Sequence, residues 1–328
     1  MAPAQVDVAV VGSVNIDLVA SVTRLPMPGE TVSAHLYTQF PGGKGGNQAV
    51  AAARLGRRVA FVGLTGDDAE GGEIRAALES RSVDVTHLRT EPGAPTGRAL
   101  VVVDETAENT IVVVGGANMR LAPGHIEAAA DTLGAARVVV AQLEIPLDTV
   151  TAAARAAGGT FVLNPAPARP LPDELLERVD VLVVNETEYE VVAGHPLPDD
   201  PAELGARLAD SGWTCTVLVT LGARGCLVWQ RGAEVAAIPA PVVPVVDTTG
   251  AGDTFIGALA DALSRDEPPV AAAHWAVHAA SRSVGALGAT TAMPDRDDVL
   301  AAIAALDDSA PPGPRSAPRS EEAAGERR

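Results

Sequence analysis

Residues 47–63 read NQAVAAARLGRRVAFVG. The first part is an Ala-rich segment with the composition of a helix, Gly56 is the residue type that most readily ends one, and VAFVG is a short β-branched apolar run. A strand that is apolar at every position is buried on both faces. The same alternation extends outward, with VDVAVVG (6–12) before it and RVVVAQLE (137–144), TVTAAARAAG (149–158), TFVLNP (160–165), VDVLVVNE (179–186) and CTVLVTLG (215–222) after it. Strands of this kind, separated by helices, predict a three-layer αβα sandwich around a central, mostly parallel sheet. Gly212, after LADS, fits a second helix terminus of the Gly56 type. In such a sheet, ligands lie beyond the C-terminal ends of the strands, so the residues that follow each apolar run are the ones to read for chemistry.

Two segments break the alternation. The chain from about Ser13 to Phe40 is mixed and punctuated by proline, while Arg98–Val103 and Asn109–Val114 read as two strands joined by the polar turn DETAEN. These pieces, about 13–40 and 96–117, predict a small second sheet, for which a lid and a plain structural hairpin both fit. Their ALVVV and TIVVV faces would be exposed in a monomer. From Asp307 the tail DDSAPPGPRSAPRSEEAAGERR has four prolines and almost no large apolar residue, so residues 1–306 are expected to form the folded domain and 307–328 a disordered tail.

Composition bounds the partners. With 328 residues and 47 % apolar content there is ample material for a core. No apolar run approaches the roughly 18 to 20 residues of a membrane span, and the N-terminus lacks the basic residues of a signal peptide, so a soluble cytoplasmic protein is expected. A net charge of −18 argues against nucleic acid, since no basic patch is available to neutralise phosphates. Any anionic ligand must be held locally, by backbone amides, a metal ion or a few chosen cations. Cys215 and Cys226 lie in no CxxC or Cys/His cluster and read as small apolar residues. Of the 24 basic residues only Lys44 is a lysine, and it sits inside PGGKGGN. A compact ammonium needed at that point and a chance lysine in a surface turn are both open.

Two common nucleotide fingerprints are absent. GGKGGN is not a Walker A loop, because Gly45 rather than Ser or Thr follows the lysine, and the first strand ends in VVGSVNID without a GxGxxG turn. His274 and His278 stand four apart on a predicted helix, yet no Glu follows His274, so a packed or solvated helix face is expected there rather than a metal site.

DTTGAGDTF (247–255) differs from these. Gly250, Ala251 and Gly252 fall where the extended PVVPVVD turns into the helical DTFIGALADAL. Small residues there let successive N–H groups converge on an anion, and the helix start adds partial positive charge. Asp253 then lies on the first turn, where a carboxylate can act as a base toward a hydroxyl. Taken alone, the stretch also fits a tight turn with a helix-capping aspartate.

The wider pattern resembles the ribokinase branch of the carbohydrate kinase (PfkB-type) family. GSVNID, PGETV, GGKGGNQAVAAARLG, TGDD, QLE, LNPAPAR, NETE, TLGARG and DTTGAGDTF occur in that family's order and spacing from Val6 to about Leu306. The resemblance implies a transfer of the γ-phosphoryl group of ATP to O5 of D-ribose, with Asp253 as base and Gly250, Ala251 and Gly252 as an anion hole. It implies sugar contacts from Asn15, Asp17, Gly43, Lys44, Gly45, Gly46, Asn47 and Glu144. It assigns the ATP phosphates and ribose to Asn185 and to the loop Thr220, Leu221, Gly222, Ala223, Arg224 and Gly225, with adenine near Val277. It also implies Mg²⁺ with ATP, organised through water by Glu188, and an activating K⁺ beside Asp247, Thr249, Ser283, Ala286, Gly288 and Ala292. Ala292 stands where the family often has a hydroxyl residue. A homodimer formed by two lids is the implied assembly.

The same fold acting on deoxyribose, fructose or a nucleoside is an alternative, as is a sugar-binding regulator without catalysis. With only three Trp, two Tyr and four Phe in the chain, a nucleobase pocket is disfavoured.

Overall fold

The computed structural model describes residues 6–106 and 108–309. Among them are thirteen strands: β1 (Val8–Val11), β2 (Asn15–Ser21), β3 (Leu36–Gly42), β4 (Val59–Gly66), β5 (Val83–Glu91), β6 (Gly97–Val103), β7 (Asn109–Val114), β8 (Val138–Gln142), β9 (Thr160–Asn164), β10 (Val181–Asn185), β11 (Thr216–Thr220), β12 (Cys226–Trp229) and β13 (Ala236–Ile238). Nine form one sheet in the order β13-β12-β11-β10-β9-β8-β1-β4-β5. Its pairs are parallel except those of β11 with β12 and β12 with β13.

The double burial expected of the apolar runs is what the strands show. Along β1, Val8 and Val10 point into one core while Ala9 and Val11 point into the other, and all four are fully buried. One core contains Phe61, Phe255 and Trp275, and the opposite one contains Phe161, Tyr189 and Trp229. Helices therefore cover both faces, which is the three-layer architecture. Gly56 and Gly212 follow their helices with φ of +91° and +81°, the left-handed conformation expected of them. Cys215 and Cys226 are buried and unpaired.

The chain passes from β1 to β4 and β5 on one side, then returns to place β8 on the other side of β1. The crevice of an open α/β sheet lies at such a reversal. Here it falls beside the C-terminal ends of β1 and β8, so Gly12, Ser13, Gln142 and Glu144 are brought to one edge.

The remaining four strands form a second sheet in the order β3-β2-β6-β7, with β2 and β6 parallel and the other pairs antiparallel. It rises from the same edge, because β2 follows β1 after only the short link at Gly12–Val14. Every residue of β7 is exposed, including Ile111 at 52 % and Val112 at 55 %, and Tyr37 and Leu100 are also open. No helix among the described residues is long and apolar enough to cross a membrane.

The last helix spans Arg296–Ser309 and so continues past residue 306, where the tail was expected to begin. Asp307 and Asp308 weaken a helix without forbidding it. Most of the expected tail, 310–328, lies outside the described residues.

Candidate active site

Three helix starts face the crevice. The first belongs to Lys44–Arg54, whose N-cap Gly43 has a φ of 87°. A side chain at Gly43 would meet Val14 and the Asn15 amide at 2.8 Å, and one at Gly45 would meet Ser13 O at 2.7 Å. The glycines of PGGKGGN therefore let this helix start lie directly on the link between β1 and β2. Glu144 caps the arrangement: its Oε2 accepts from Ser13 Oγ at 2.5 Å and from the Lys44 amide at 3.2 Å. A carboxylate at a helix N-terminus is favoured by the exposed amides there.

The second start belongs to Ala251–Leu263, with Gly250 as its N-cap at φ 75°. A Cβ at Gly250 would meet that of Ala289 at 2.9 Å, so both conformation and space require glycine. The sequence predicted three amides converging here. The Ala251 amide instead donates to Thr248 O at 3.2 Å, closing the turn. Gly250, Gly252 and Asp253 line the crevice, and the first turn of a helix leaves its amides without intrahelical acceptors.

The third start, Glu186–Ala193, carries a reciprocal cap in which Asn185 Oδ1 accepts from the Glu188 amide at 2.8 Å and Glu188 Oε2 accepts from the Asn185 amide at 2.9 Å.

Between these starts lies a cleft of about 180 Å³, lined by Lys44, Asn164, Asn185, Glu188, Thr220 and Asp253 among others. Asp253 is fixed from two sides: Oδ2 accepts from Asn47 Nδ2 at 2.9 Å and Oδ1 from Gln48 Nε2 at 3.0 Å. Burial pushes its carboxyl above the usual range, against the opposing pull of the Lys44 charge and of these two bonds. Burial acts to lower Lys44, but Asp253, Glu144 and Glu188 outweigh it and keep the amine an ammonium with a raised pKa. Asp17 is pushed up to about 6 by burial and then by the charges of Glu144 and Asp253. It lies against Gly42, where an added Cβ would be 2.3 Å from its Oδ2. Burial also raises Glu188, offset in part by the Asn185 amide and Lys44.

Several expected residues are brought together and others are not. Asn15, Asp17, Gly43–Asn47, Glu144 and Asp253 share the crevice, with Asn15 2 % exposed. Asp247 Oδ1 accepts from the Thr249 amide at 2.9 Å and Oδ2 from the Gly288 amide at 2.8 Å. Although burial works against it, these bonds hold the Asp247 carboxyl below its usual range. The Ser283 hydroxyl is turned back onto Ala280 O, and Ala286 is exposed. Ala292 ends the short helix Ala289–Ala292.

In the Thr220–Gly225 loop, Leu221 N donates to Gly225 O at 2.8 Å, which closes a tight turn, and Arg224 pairs with Glu186 at the surface. Val277 is 4 % exposed and belongs to the core, so it does not line the cleft. His274 is exposed and His278 buried on the Pro269–Ser283 helix, and no cluster of metal-ligating side chains occurs among the described residues.

The sequence reading passed over Ser13, Gln48, Asn118 and Asn164 as individual residues. Asn118 ties the second sheet to the site: its Oδ1 accepts from the Val14 amide at 3.0 Å, and its Nδ2 donates to Val14 O at 3.0 Å and Asn15 Oδ1 at 2.9 Å. A signal for some of these was present. The apolar strands β8, β9 and β10 each end in a carboxamide, Gln142, Asn164 and Asn185, at the edge where ligands bind.

Residues 5–296 match the family described as pfkB family carbohydrate kinase. The chain is 39 % identical to a ribokinase of Haemophilus influenzae over 296 residues, covering 89 % of this chain and 96 % of that one. It is 37 % identical to a deoxyribokinase of Salmonella typhi, covering 88 % of this chain and 95 % of that one. A solved Arabidopsis thaliana ribokinase, complexed with ribose and ATP, superposes with a TM-score of 0.83 at 35 % identity, covering 92 % of this chain and 99 % of that one. Likeness that runs from the first strand to the last helix, in sequence and in fold alike, decides the family: the chain is a pfkB family carbohydrate kinase.

Proposed function

We propose that the protein transfers the γ-phosphoryl group of ATP to O5 of D-ribose, giving D-ribose 5-phosphate and ADP. The observation that carries this reading is Asp253, a carboxylate with an amide donor on each oxygen, set on the first turn of a glycine-led helix at the cleft. It takes the proton from the sugar hydroxyl as that oxygen bonds to the γ-phosphorus, while the bond to the departing ADP oxygen breaks. The amides of Gly250, Gly252 and Asp253 face the charge that grows on the transferred group. Lys44 adds an ammonium on the same side.

For the sugar, paired donors and acceptors are required at fixed spacing. Asn47 Oδ1 is buried without a partner and suits a sugar hydroxyl donor. Asn15 spends its Oδ1 on Asn118 and keeps its Nδ2 for an acceptor, while Asp17 and Glu144 supply carboxylate oxygens. Similarity to a deoxyribokinase makes 2-deoxyribose the second acceptor to test.

Asp17, Glu144, Glu188 and Asp253 surround one lysine, so the crevice is net negative and disfavours a bare ATP polyanion. Magnesium bound with ATP would supply the missing positive charge at the phosphates. Glu188, fixed by its helix cap at the edge of the cleft, suits contact through the water shell this ion retains. Asp247, held ionised by the Thr249 and Gly288 amides, would together with backbone carbonyls of Thr249, Ser283, Ala286, Gly288 and Ala292 offer an all-oxygen set suited to K⁺. The second sheet would act as a lid over the sugar, and its exposed β7 face would form a homodimer; a monomer at micromolar concentration in sedimentation would refute that assembly.

The deciding experiment is a coupled ADP-release assay with ribose, 2-deoxyribose, fructose and adenosine. Ribose is expected to give the highest kcat/KM, and release independent of any sugar would overturn the reading.

A further inference from the structure

Asp253 does not stand on its own rotamer. Behind it lies a buried set of three carboxamides, Gln48, Gln142 and Asn164, exposed by 1 %, 0 % and 9 %. Asn164 Nδ2 donates to Val183 O at 3.0 Å, which turns Asn164 Oδ1 toward Gln48 Nε2 at 3.4 Å. Gln142 Nε2 donates to Gln48 Oε1 at 2.6 Å. Both ends of the Gln48 amide are thereby assigned. A flip would set its oxygen against Asn164 Oδ1 and the Asp253 carboxylate, and its NH₂ against that of Gln142. The network leaves one orientation, with Nε2 donating to Asp253 Oδ1 at 3.0 Å.

The three amides come from separate elements: the helix Lys44–Arg54 and the ends of β8 and β9. Gln142 and Asn164 are register partners in the parallel pair of β8 and β9, so the sheet itself sets their spacing. Gly12 completes the fit, because an added Cβ there would be 2.0 Å from Gln142 Oε1. Nothing in this chain of amides touches the cleft except through Asn164 and the carboxylate. Its outlets are the aspartate and Asn164, which lines the cleft and bonds Glu188.

We propose that Gln48, locked by Gln142 and Asn164, is a positioning residue that orients Asp253 and keeps its carboxylate ionised and ready to accept a proton. The physical basis is the strength of an N–H bond to a charged acceptor in a buried place, which favours the anion over the acid. Such support is needed because burial alone drives this carboxyl toward its neutral form. The other charges near Asp253 are Lys44 from the helix that carries Gln48, Glu144 after β8, Glu188 from its capped helix and Asp17 on β2. Lys44 favours the anion and the three carboxylates oppose it, so Gln48 and Asn47 supply the neutral part of the balance. The role of the base rests on the kinase reading above; the amide network itself does not.

The test separates the two. In full-length protein labelled with ¹³C at aspartate carboxyls, the Asp253 resonance is assigned by its loss in Asp253→Asn and titrated in wild type, Gln48→Met and Gln142→Leu. Gln48→Met keeps the length of the side chain and removes the donor, and is expected to raise the Asp253 midpoint by about one unit. Gln142→Leu leaves the donor but frees its orientation and is expected to give a smaller rise, which provides a second reading if the first variant folds poorly. The acid limb of kcat/KM for ribose should move with the midpoint, while the sugar KM stays within about twofold at a pH above the limb. An unmoved Asp253 midpoint in the folded variants overturns the positioning role, even if activity falls. A midpoint that moves while the acid limb does not refutes Asp253 as the base and leaves the network intact.

Discussion

Replacing Asn118 with alanine should weaken both the fold and the sugar site, and the size of the loss follows from its bonds. The side chain is 1 % exposed and makes three hydrogen bonds, to both backbone groups of Val14 and to Asn15 Oδ1, at 2.9–3.0 Å. Each contributes about 1 kcal/mol net, and the Val14 N–H and C=O are left buried and unpaired, so a loss of about 3–4 kcal/mol is expected. Water has no easy way in to replace them. Gly97 packs so closely that an added Cβ would lie 2.2 Å from Asn15 Oδ1 and 2.3 Å from Asn118 Nδ2. Asn118→Asp has the same shape but sets a carboxylate against two acceptor oxygens, Val14 O and Asn15 Oδ1, and should be no better than alanine. Urea unfolding followed by tryptophan fluorescence reads the stability. In the same protein the ribose KM should rise several-fold, because Asn15 loses its anchor, while kcat changes little, because Asp253 is held from other elements. A loss below about 1 kcal/mol with an unchanged KM would refute the reasoning.

Asp253→Asn is expected to lower sugar-dependent ADP release by about 10²–10⁴-fold while calorimetry still detects ribose and nucleotide binding; near-normal turnover would remove the base. Asp17, with a native pKa of about 6 against 3.8 in a free chain, holds a proton in the folded state that the unfolded chain has already released. Its contribution to stability is therefore largest below the unfolded value and is lost as pH rises through 6, by up to about 3 kcal/mol. Asp17→Asn should accordingly be more stable than wild type at pH 7, flatten the pH dependence between 4 and 6 in urea titrations, and bind ribose poorly; a variant as pH-sensitive as wild type would contradict this. Adding K⁺ to a buffer without monovalent metal ions should raise turnover, and Asp247→Asn should blunt the response; equal rates with and without the ion would exclude that site.

The glycine-led helix start with an aspartate on its first turn could be read from residues 247–255 alone, because both are short-range signals, whereas its reading as a site for chemistry needed the wider resemblance. Even so, the sequence assigned the Ala251 amide to the anion, and the turn spends it on Thr248 O. Val277 shows a different limit. A valine on an Ala-rich helix has no periodic signal that separates a cleft-facing position from a core-facing one, and here the core has it. The Arg296–Ser309 helix overran its expected end because composition marks the prolines that forbid a helix more sharply than the aspartates that merely weaken it.

Local chemistry written in the chain determined the layered fold, the helix starts and the aspartate. Continuous apolar runs must be covered on both faces, and glycines must sit where side chains would clash, whatever the distant partners are. What only the tertiary structure decided is how Asp253 is held. Asn47 and Gln48 lie |i−j| = 206 and 205 from it in sequence, and Gln142 reaches it only through Gln48. A carboxamide carries no mark of its partner. Whether Gln48 is a surface amide or the support of a buried carboxylate depends on the sheet register that brings β8 and β9 together and on the helix packed above them, and long-range contacts of that kind have no local signature.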